Sequence, residues 1–532
     1  MSTPPSIFND VLGPVMRGPS SSHSAAANRI GRLARDLVGE PIRTVTVKYD
    51  PNGSLVTTHK DQGTDLGLYS GLLGWTPEDP RLPTYEAGLK QAGIQVHVLY
   101  ESYDAPHPNF YRLELTGESG TTYALDAIST GGGMIELIAL DGHEFHSPGD
   151  LAHTVFELPK LPDDDTVKSI EDQPGVERVS KHPGSTGGLL VISSREPLSD
   201  SVLQSLEQRL SPTRVRCLNP VLPVLGRKDL SVPFDTCEQM VTINQDTDIE
   251  LWRLAAQYEA ARGGIDETQA VEQMIALVRI MESAVETGLA GTSYDDRILP
   301  SQSPGFAQAE SAGKLVQADV TNRIIRYVSA IMEVKSSMGV IVAAPTAGSC
   351  GAMPGAVLAV ADHLEADLEH KARAMLVAGL IGVFIARDAT FAAEEGGCMA
   401  ECGSGSAMAA AAITHLMGGT LDQQLGAASM ALQNSFGLVC DPIANRVEAP
   451  CLGKNVMAAN NALASANMAL AGYQHLVPLH EVIQSMNEVA HQIPRELRCT
   501  ALGGLSTTPT SLRIAESLAH GSATSQSRKI SC

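Results

Sequence analysis

From about residue 237 onward the chain repeats one pattern, a helix-period apolar stretch followed by a loop rich in Gly, Cys and Pro. The stretches 249–263, 267–287, 318–337, 355–364, 371–386, 406–417, 421–435, 454–471 and 479–492 carry the spacing of buried or amphipathic helices. That spacing predicts a mostly helical unit. Short polar loops would suffice to join such helices. The connections here instead read Ala344-Pro-Thr-Ala-Gly-Ser-Cys-Gly351, Glu394-Glu-Gly-Gly-Cys-Met-Ala-Glu-Cys-Gly-Ser-Gly405 and a proline-flanked segment over 436–455. Their composition predicts that the loops converge on a common site.

Cysteines dominate these loops. Cys440 is followed by Asp441-Pro442 and Cys451 follows Pro450, so both sulfurs are expected on constrained turns. Constrained turns can hold thiolates in fixed directions. A zinc knuckle needs two tight Cys pairs, and only Cys398-x3-Cys402 approaches one. Spacing alone therefore leaves open buried free thiols, a structural zinc and an iron–sulfur site.

Bulk properties narrow the function classes. The net charge is −22 with no clustered basic face, which argues against a nucleic-acid partner. Apolar residues at 43% allow a sizeable core, whereas aromatics at 4% disfavour an aromatic ligand groove. The first residues lack a basic region followed by an apolar run, so no secretory signal is expected. The most apolar segments, 372–386 and 404–417, break too early to span a membrane. Nine cysteines in such a chain argue against a disulfide framework. A cytoplasmic protein with reduced thiols is the expectation.

The N-terminal part, 1–157, alternates short strand and helix patterns. Ser20, Ser21, Ser22 and Ser24 surround His23 just ahead of a helical stretch at 25–38, where hydroxyls and free N–H groups suit a carboxylate. Strands are expected at 44–49, 94–100 and 111–116, and a helical stretch opens at 60–65. Thr130-Gly-Gly-Gly133 is read as a loop where backbone can approach a ligand. The segment 158–235 is more polar and reads as a small α+β module or linker, and 236–532 is the helical unit with its tail.

Taken together, these motifs resemble the iron–sulfur-dependent L-serine dehydratases over nearly the whole chain. The resemblance rests on Gly18-Pro-Ser-Ser-Ser-His23, Gly63-Thr-Asp65, His107-Pro-Asn109, Gly131-Gly-Gly133, the Pro-Thr-Ala-Gly loop, Gly397-Cys398, Gly437-Leu-Val-Cys-Asp-Pro442, Pro450-Cys451 and Thr500-Ala-Leu-Gly-Gly-Leu505. It implies an α+β multidomain chain, with an α/β substrate-binding-type domain ahead of a helical catalytic domain. It also implies a [4Fe-4S] cluster held by Cys398, Cys440 and Cys451, with the terminal Cys532 folding back onto the open iron when substrate is absent. The implied substrate is a small amino acid, dehydrated and deaminated to pyruvate and ammonia. His23 and His107 are the candidate proton carriers. Ser20, Ser21, Ser22, Ser24, Gly63, Thr64, Asp65, Thr346, Ala347, Gly348 and Asn455 are the candidate substrate contacts, and a homodimer is expected.

The chain departs from the family at Gln62, where members commonly carry a histidine. An amide is no general base, so His23 or His107 takes that part or the substrate differs. L-Threonine, L-cysteine, another β-hydroxy acid and a cluster-based amino-acid sensor are the alternatives. Cys402 is expected to be a structural or supporting thiol, and Cys350 a loop residue.

Overall fold

A computed structural model describes residues 3–184 and 187–528; Cys532 lies outside the described residues. The fold is α+β: the N-terminal part is rich in sheet and the C-terminal part is helical. A six-stranded sheet runs in the order Gln95–Tyr100, Ile42–Tyr49, Phe110–Gly117, Thr122–Gly131, Met134–Leu140, His143–Ser147. Its first pair is parallel and the rest antiparallel. Period-2 burial along Thr122–Gly131 shows the half-buried strand pattern. Helix Ala26–Val38 packs Ile30, Leu33 and Leu37 into the same core as Val45, Val47, Leu113, Leu125 and Leu137.

A second sheet has the strand order Arg214–Leu218, Ala152–Leu158, Gly188–Ser194, Val176–Pro183, all antiparallel. With helices Asp164–Glu171 and Asp200–Leu210 it forms a β-α-β-β-α-β unit around Phe156, Ile170, Leu190, Ile192 and Leu206. Strand Ala152–Leu158 straddles the boundary drawn at 157/158 and belongs to this second sheet.

The helical part is organised around Leu368–Asp388, whose residues 374–385 are all buried, and Ser404–Leu416, buried throughout 404–414. A helix apolar on every side must lie inside a core, and the run of alanines at 409–412 lets its neighbours close in. No single helix among the described residues is long and apolar enough to cross a membrane.

The first residues of the chain cross into this helical core. Ile7 and Val11 sit against Gly379 and Gly382, where an added Cβ would come within 2.5 and 2.1 Å of their side chains. Glu259 anchors the crossing by accepting from the Ser6 hydroxyl at 2.5 Å and the Ile7 N–H at 2.7 Å. Val15–Met16 then pairs antiparallel with Ile341–Val342, immediately ahead of the Pro-Thr-Ala-Gly loop. This short ribbon brings the serine cluster of one half beside a loop of the other.

Candidate functional site

Four loops of the helical part meet, each held by an identifiable contact. Gly397 adopts φ +65°, a conformation costly for other residues, and a Cβ there would lie 2.9 Å from the Leu438 carbonyl. That close approach lets Met399 N–H donate to Leu438 O at 2.8 Å and presses the Cys398 loop onto the Cys440 loop. Cys440 in turn pairs with the chain around Arg498: its N–H donates to Leu497 O at 2.9 Å, and Cys499 N–H donates to Cys440 O at 3.2 Å. Ala444, Asn445, Cys499 and Ala501 all have left-handed backbone. Such strain in non-glycine residues persists only where surrounding contacts enforce it.

Cys451 corrects the expectation of a turn. It is the first residue of helix Cys451–Leu470, with Pro450 just ahead of it. A proline costs nothing there, because the first helical N–H groups have no partner within the helix. The helix therefore begins three residues earlier than its apolar period indicates. Its N-terminus also favours a thiolate.

Asn455, expected to touch substrate, uses its amide otherwise. Its Oδ1 accepts from Gly351 and Ala352 N–H at 3.2 and 2.9 Å, and its Nδ2 donates to Gly348 O and Cys451 O, both at 2.8 Å. Both donors and both acceptor sites are thus filled. Asn455 clamps the Pro-Thr-Ala-Gly loop to the Cys451 helix. Within that loop, Thr346 donates to Glu401 at 2.6 Å and Gly348 lies against the same carboxyl. Ala347 N–H donates to Ser21 Oγ at 3.2 Å, closing the seam between the halves.

Cys398, Cys440 and Cys451 are all buried, and all are free thiols. Contact with Cys398 and Cys499, together with burial, pushes the Cys440 thiol well above its ordinary range. Burial and the neighbouring Cys398 do the same to Cys451. These sulfurs therefore stay protonated unless a cation joins them, and metal binding releases such protons. Lys454 supplies part of the charge, its Nζ lying 3.8 Å from Cys398 Sγ and 2.7 Å from Asp441. Among the described residues no three His, Cys, Asp or Glu side chains converge where one metal ion would sit. A multi-iron cluster takes its thiolates on separate irons, and three buried thiols, Cys398 at a helix end, Cys440 on a loop and Cys451 at a helix start, suit that demand.

Cys402 lies 3.6 Å from Asn455 Nδ2, and Cys350 is buried 3.9 Å from Met332 Sδ with its thiol pushed up to about 12 by burial. Cys499 went unnoticed as a site residue in the sequence. Its Sγ is 3.5 Å from the Gln62 amide, whose Nε2 also donates to Asn445 Oδ1 at 2.9 Å. Gln62 thus bridges the sheet half to the strained 444–445 turn. The only sequence cue to Cys499 was its place just before the Thr500–Leu505 motif.

The facing wall comes from the sheet half. Ser21–Ala25 forms a wide helical turn leading into Ala26–Val38, with His23 fully buried. Thr58 donates its hydroxyl proton to Ser54 O at 2.8 Å, so His23 Nε2–H donates to Thr58 Oγ1 at 3.0 Å. That assigns the free ring nitrogen to Nδ1, which faces Ser20 Oγ at 3.0 Å and Glu394 Oε1 at 3.3 Å. Burial lowers His23 to about 3 and raises Glu394 to about 7. The two are close enough for an ion pair, yet burial keeps the imidazole neutral and the carboxyl near half ionised at neutrality.

His107 stands at the edge of this wall, its Nε2 3.0 Å from Glu395, whose carboxyl that bond holds below the usual range. Ser22 is buried in the same turn as His23. Ser24 packs on Gly63, itself at φ +92°. Thr64 starts the next helix beside Tyr111, and Asp65 pairs with His59 at 2.8 Å. Gly131-Gly-Gly133 forms a hairpin tip that meets protein: Gly131 abuts Ala392, and Gly133 abuts Pro14. The tip braces the strand end against the segment carrying Glu394.

Comparisons with known proteins place the chain among similar sequences. The family described as the serine dehydratase alpha chain matches residues 244–506. A Bacillus subtilis protein named probable L-serine dehydratase, alpha chain, is 39% identical over 239 residues, 45% of this chain and 80% of that protein. The L-serine dehydratase alpha chain of Peptoniphilus asaccharolyticus is 36% identical over 282 residues, 53% of this chain and 97% of that protein. L-serine dehydratase 2 of Escherichia coli is 26% identical over 508 residues, 92% of this chain and 96% of that protein.

Proposed function

This chain belongs to the L-serine dehydratase family and is an enzyme of that class, and we propose that it removes water and ammonia from L-serine to leave pyruvate. The observation that carries the reading is the meeting of Cys398, Cys440 and Cys451 with the Ser20–His23–Glu394 group across one seam. Cys398, Cys440 and Cys451 would hold a [4Fe-4S] cluster. With three protein thiolates for four irons, such a cluster would supply a Lewis acid for the hydroxyl leaving group.

The remaining work falls to side chains. Serine's Cα proton is only weakly acidic, so a positioned base is required. His23 is neutral with its Nδ1 lone pair turned toward Ser20 and Glu394, and the His23–Glu394 pair takes that proton. Ionisation of Glu394 near pH 7 leaves the pair able to accept it. Hydroxyls of Ser20 and Ser22, with backbone N–H groups of the wide turn, orient the substrate carboxylate. Loss of hydroxide then gives an enamine, which tautomerises to an imine and hydrolyses to pyruvate and ammonia. Cys532 would close the open position between turnovers, and a homodimer is the proposed assembly.

The test is anaerobic reconstitution with iron and sulfide, followed by pyruvate or 2-oxobutyrate release from L-serine, L-threonine and L-cysteine. Pyruvate from L-serine at the highest kcat/KM is expected. An intact cluster spectrum with no product from L-serine, but product from another substrate, would move the assignment to that substrate. The buried Gln62 amide, at the position where the family commonly has histidine, is the residue that would carry such a change.

A further inference from the structure

A cavity of about 490 Å³ lies where four parts of the chain meet. They are helix Ala26–Val38 of the sheet half, helix Glu267–Ala290 of the helical half, the crossing segment near Phe8 and Leu12, and the stretch 220–223 that leaves the second sheet. Its size is usual for a small-molecule site. None of its lining residues belongs to the thiol wall or to the Ser20–His23–Glu394 group. Phe8, Leu12, Val221, Leu222 and Leu277 make its walls largely apolar.

Two guanidiniums interrupt that apolar lining. Arg29 and Arg32 stand three residues apart on helix Ala26–Val38, and so on one face of it. Arg29 is only 2% exposed; its Nη1 donates to Gly133 O at 2.6 Å, while its Nε is buried with no partner. Among the described residues neither arginine has a carboxylate partner. Asp10, on the crossing segment, accepts from Ser6 N–H at 2.7 Å, and Glu78, the one carboxylate among the described lining residues, is exposed.

A cation buried without an anion is costly. The planar fork of an arginine matches the two oxygens of a carboxylate, so the missing anion has a preferred shape. The surrounding walls add a second demand, because a bare inorganic anion would meet the charge and leave Phe8 and Leu277 against water. We infer that this cavity binds a small monocarboxylate with an aliphatic tail, its carboxylate on Arg29 and Arg32 and its tail between the crossing segment and helix Glu267–Ala290. The site is separate from the one that carries the proposed reaction and does not rest on the cofactor reading. Through the bond from Arg29 to Gly133 O it adjoins the hairpin tip that braces the segment carrying Glu394.

Isothermal titration of the full chain with isocaproate tests this. Isocaproamide keeps the tail without the charge, and inorganic phosphate keeps a charge without the tail. Wild type should bind isocaproate at least about tenfold more tightly than either, the discrimination expected of one charge-assisted contact. Arg32→Met should weaken isocaproate by about the same factor, and Leu277→Trp, which fills the cavity from the other helix, should abolish binding. Arg32 and Leu277 are only partly buried, and equal melting temperatures would show that both variants fold. Absence of isocaproate binding to wild type, equal affinity for the amide or for phosphate, or wild-type affinity in either variant would each overturn the inference.

Discussion

The helical half presents Cys398, Cys440 and Cys451 from loops clamped by Gly397, Asn455 and the Cys440–Cys499 backbone pairing. The sheet half presents Ser20, His23 and Thr58 from turns at helix starts, joined to one another through side-chain hydrogen bonds. The first wall fixes backbone and leaves its sulfurs without strong partners. The second fixes a ring tautomer and leaves one nitrogen lone pair facing a carboxyl. Under the proposed function, holding a cluster and moving a proton would make these different demands, so each should fail separately.

The largest effect is expected from breaking the first wall. Cys440→Ala and Cys451→Ala should both lose iron–sulfur absorbance and activity together after anaerobic loading, measured as absorbance, iron per chain and pyruvate release. Full absorbance in either variant would remove that sulfur from the ligand set. Removing the carboxyl that the second wall faces should leave the cofactor untouched. Glu394→Gln is expected to keep wild-type absorbance while kcat/KM falls about 10²–10⁴-fold, the usual range for a positioned acid–base group.

The same residue gives a pH test. Glu394 is raised by burial from 4.5 to about 7 in the folded protein. Its contribution to stability is therefore fully present below about pH 4.5 and is lost as pH rises through about 7. Chemical denaturation of the apo protein at pH 5 and pH 8 should show wild type losing more stability over that interval than Glu394→Gln. Wild-type kcat/KM should instead rise through about pH 7. Parallel stability losses in the two proteins would contradict the assignment.

Smaller effects sharpen the account of how each wall is built. Gly397→Ala places a side chain at φ +65° and against Leu438 O, with an expected cost of about 1–3 kcal/mol in thermal unfolding and weakened cluster loading. Gln62→Ala removes the amide's bond to Asn445 and its contact with Cys499 and should cost about 1 kcal/mol, without changing the cluster spectrum. A spectral change there would mean that Gln62 or Cys499 reaches the cofactor directly.

How much of this was legible in the sequence differs between the walls too. The helices of the C-terminal part follow the apolar period closely, and Leu479–Gln492 matches residue for residue. Helices Cys237–Asn244, Ser303–Ser311 and Ala393–Cys398 were not expected, since each is too short for a period to establish itself. Strands Thr122–Gly131, Met134–Leu140 and Ala152–Leu158 were missed, although burial in Thr122–Gly131 alternates regularly. Strand pairing depends on partners far along the chain, which local pattern does not carry. The crossing of residues 7–16 into the helical core was invisible for the same reason: its partners, Gly379, Gly382 and Ile341–Val342, lie more than 300 residues away.

Within the site, three cysteines and His23 stood out in the sequence because their neighbours formed motifs, and the structure buries all four. Glu394 and Glu401 lay inside a quoted loop, but nothing in sequence shows which carboxyl turns inward. Arg29, in the separate cavity, sits in an amphipathic helix, where an arginine reads as solvent-facing until burial shows otherwise. Asn455 carried the reverse lesson. The family resemblance implied a substrate contact, whereas four backbone partners make it a clamp.

The most direct measurement is iron and sulfide content per chain, with the absorbance spectrum, of Cys398→Ala and Glu394→Gln loaded side by side under anaerobic conditions. Loss of the cluster in Cys398→Ala, with a full cluster but little pyruvate release in Glu394→Gln, is the expected result. A full cluster in Cys398→Ala, or its loss in Glu394→Gln, would contradict the division of labour between the two walls.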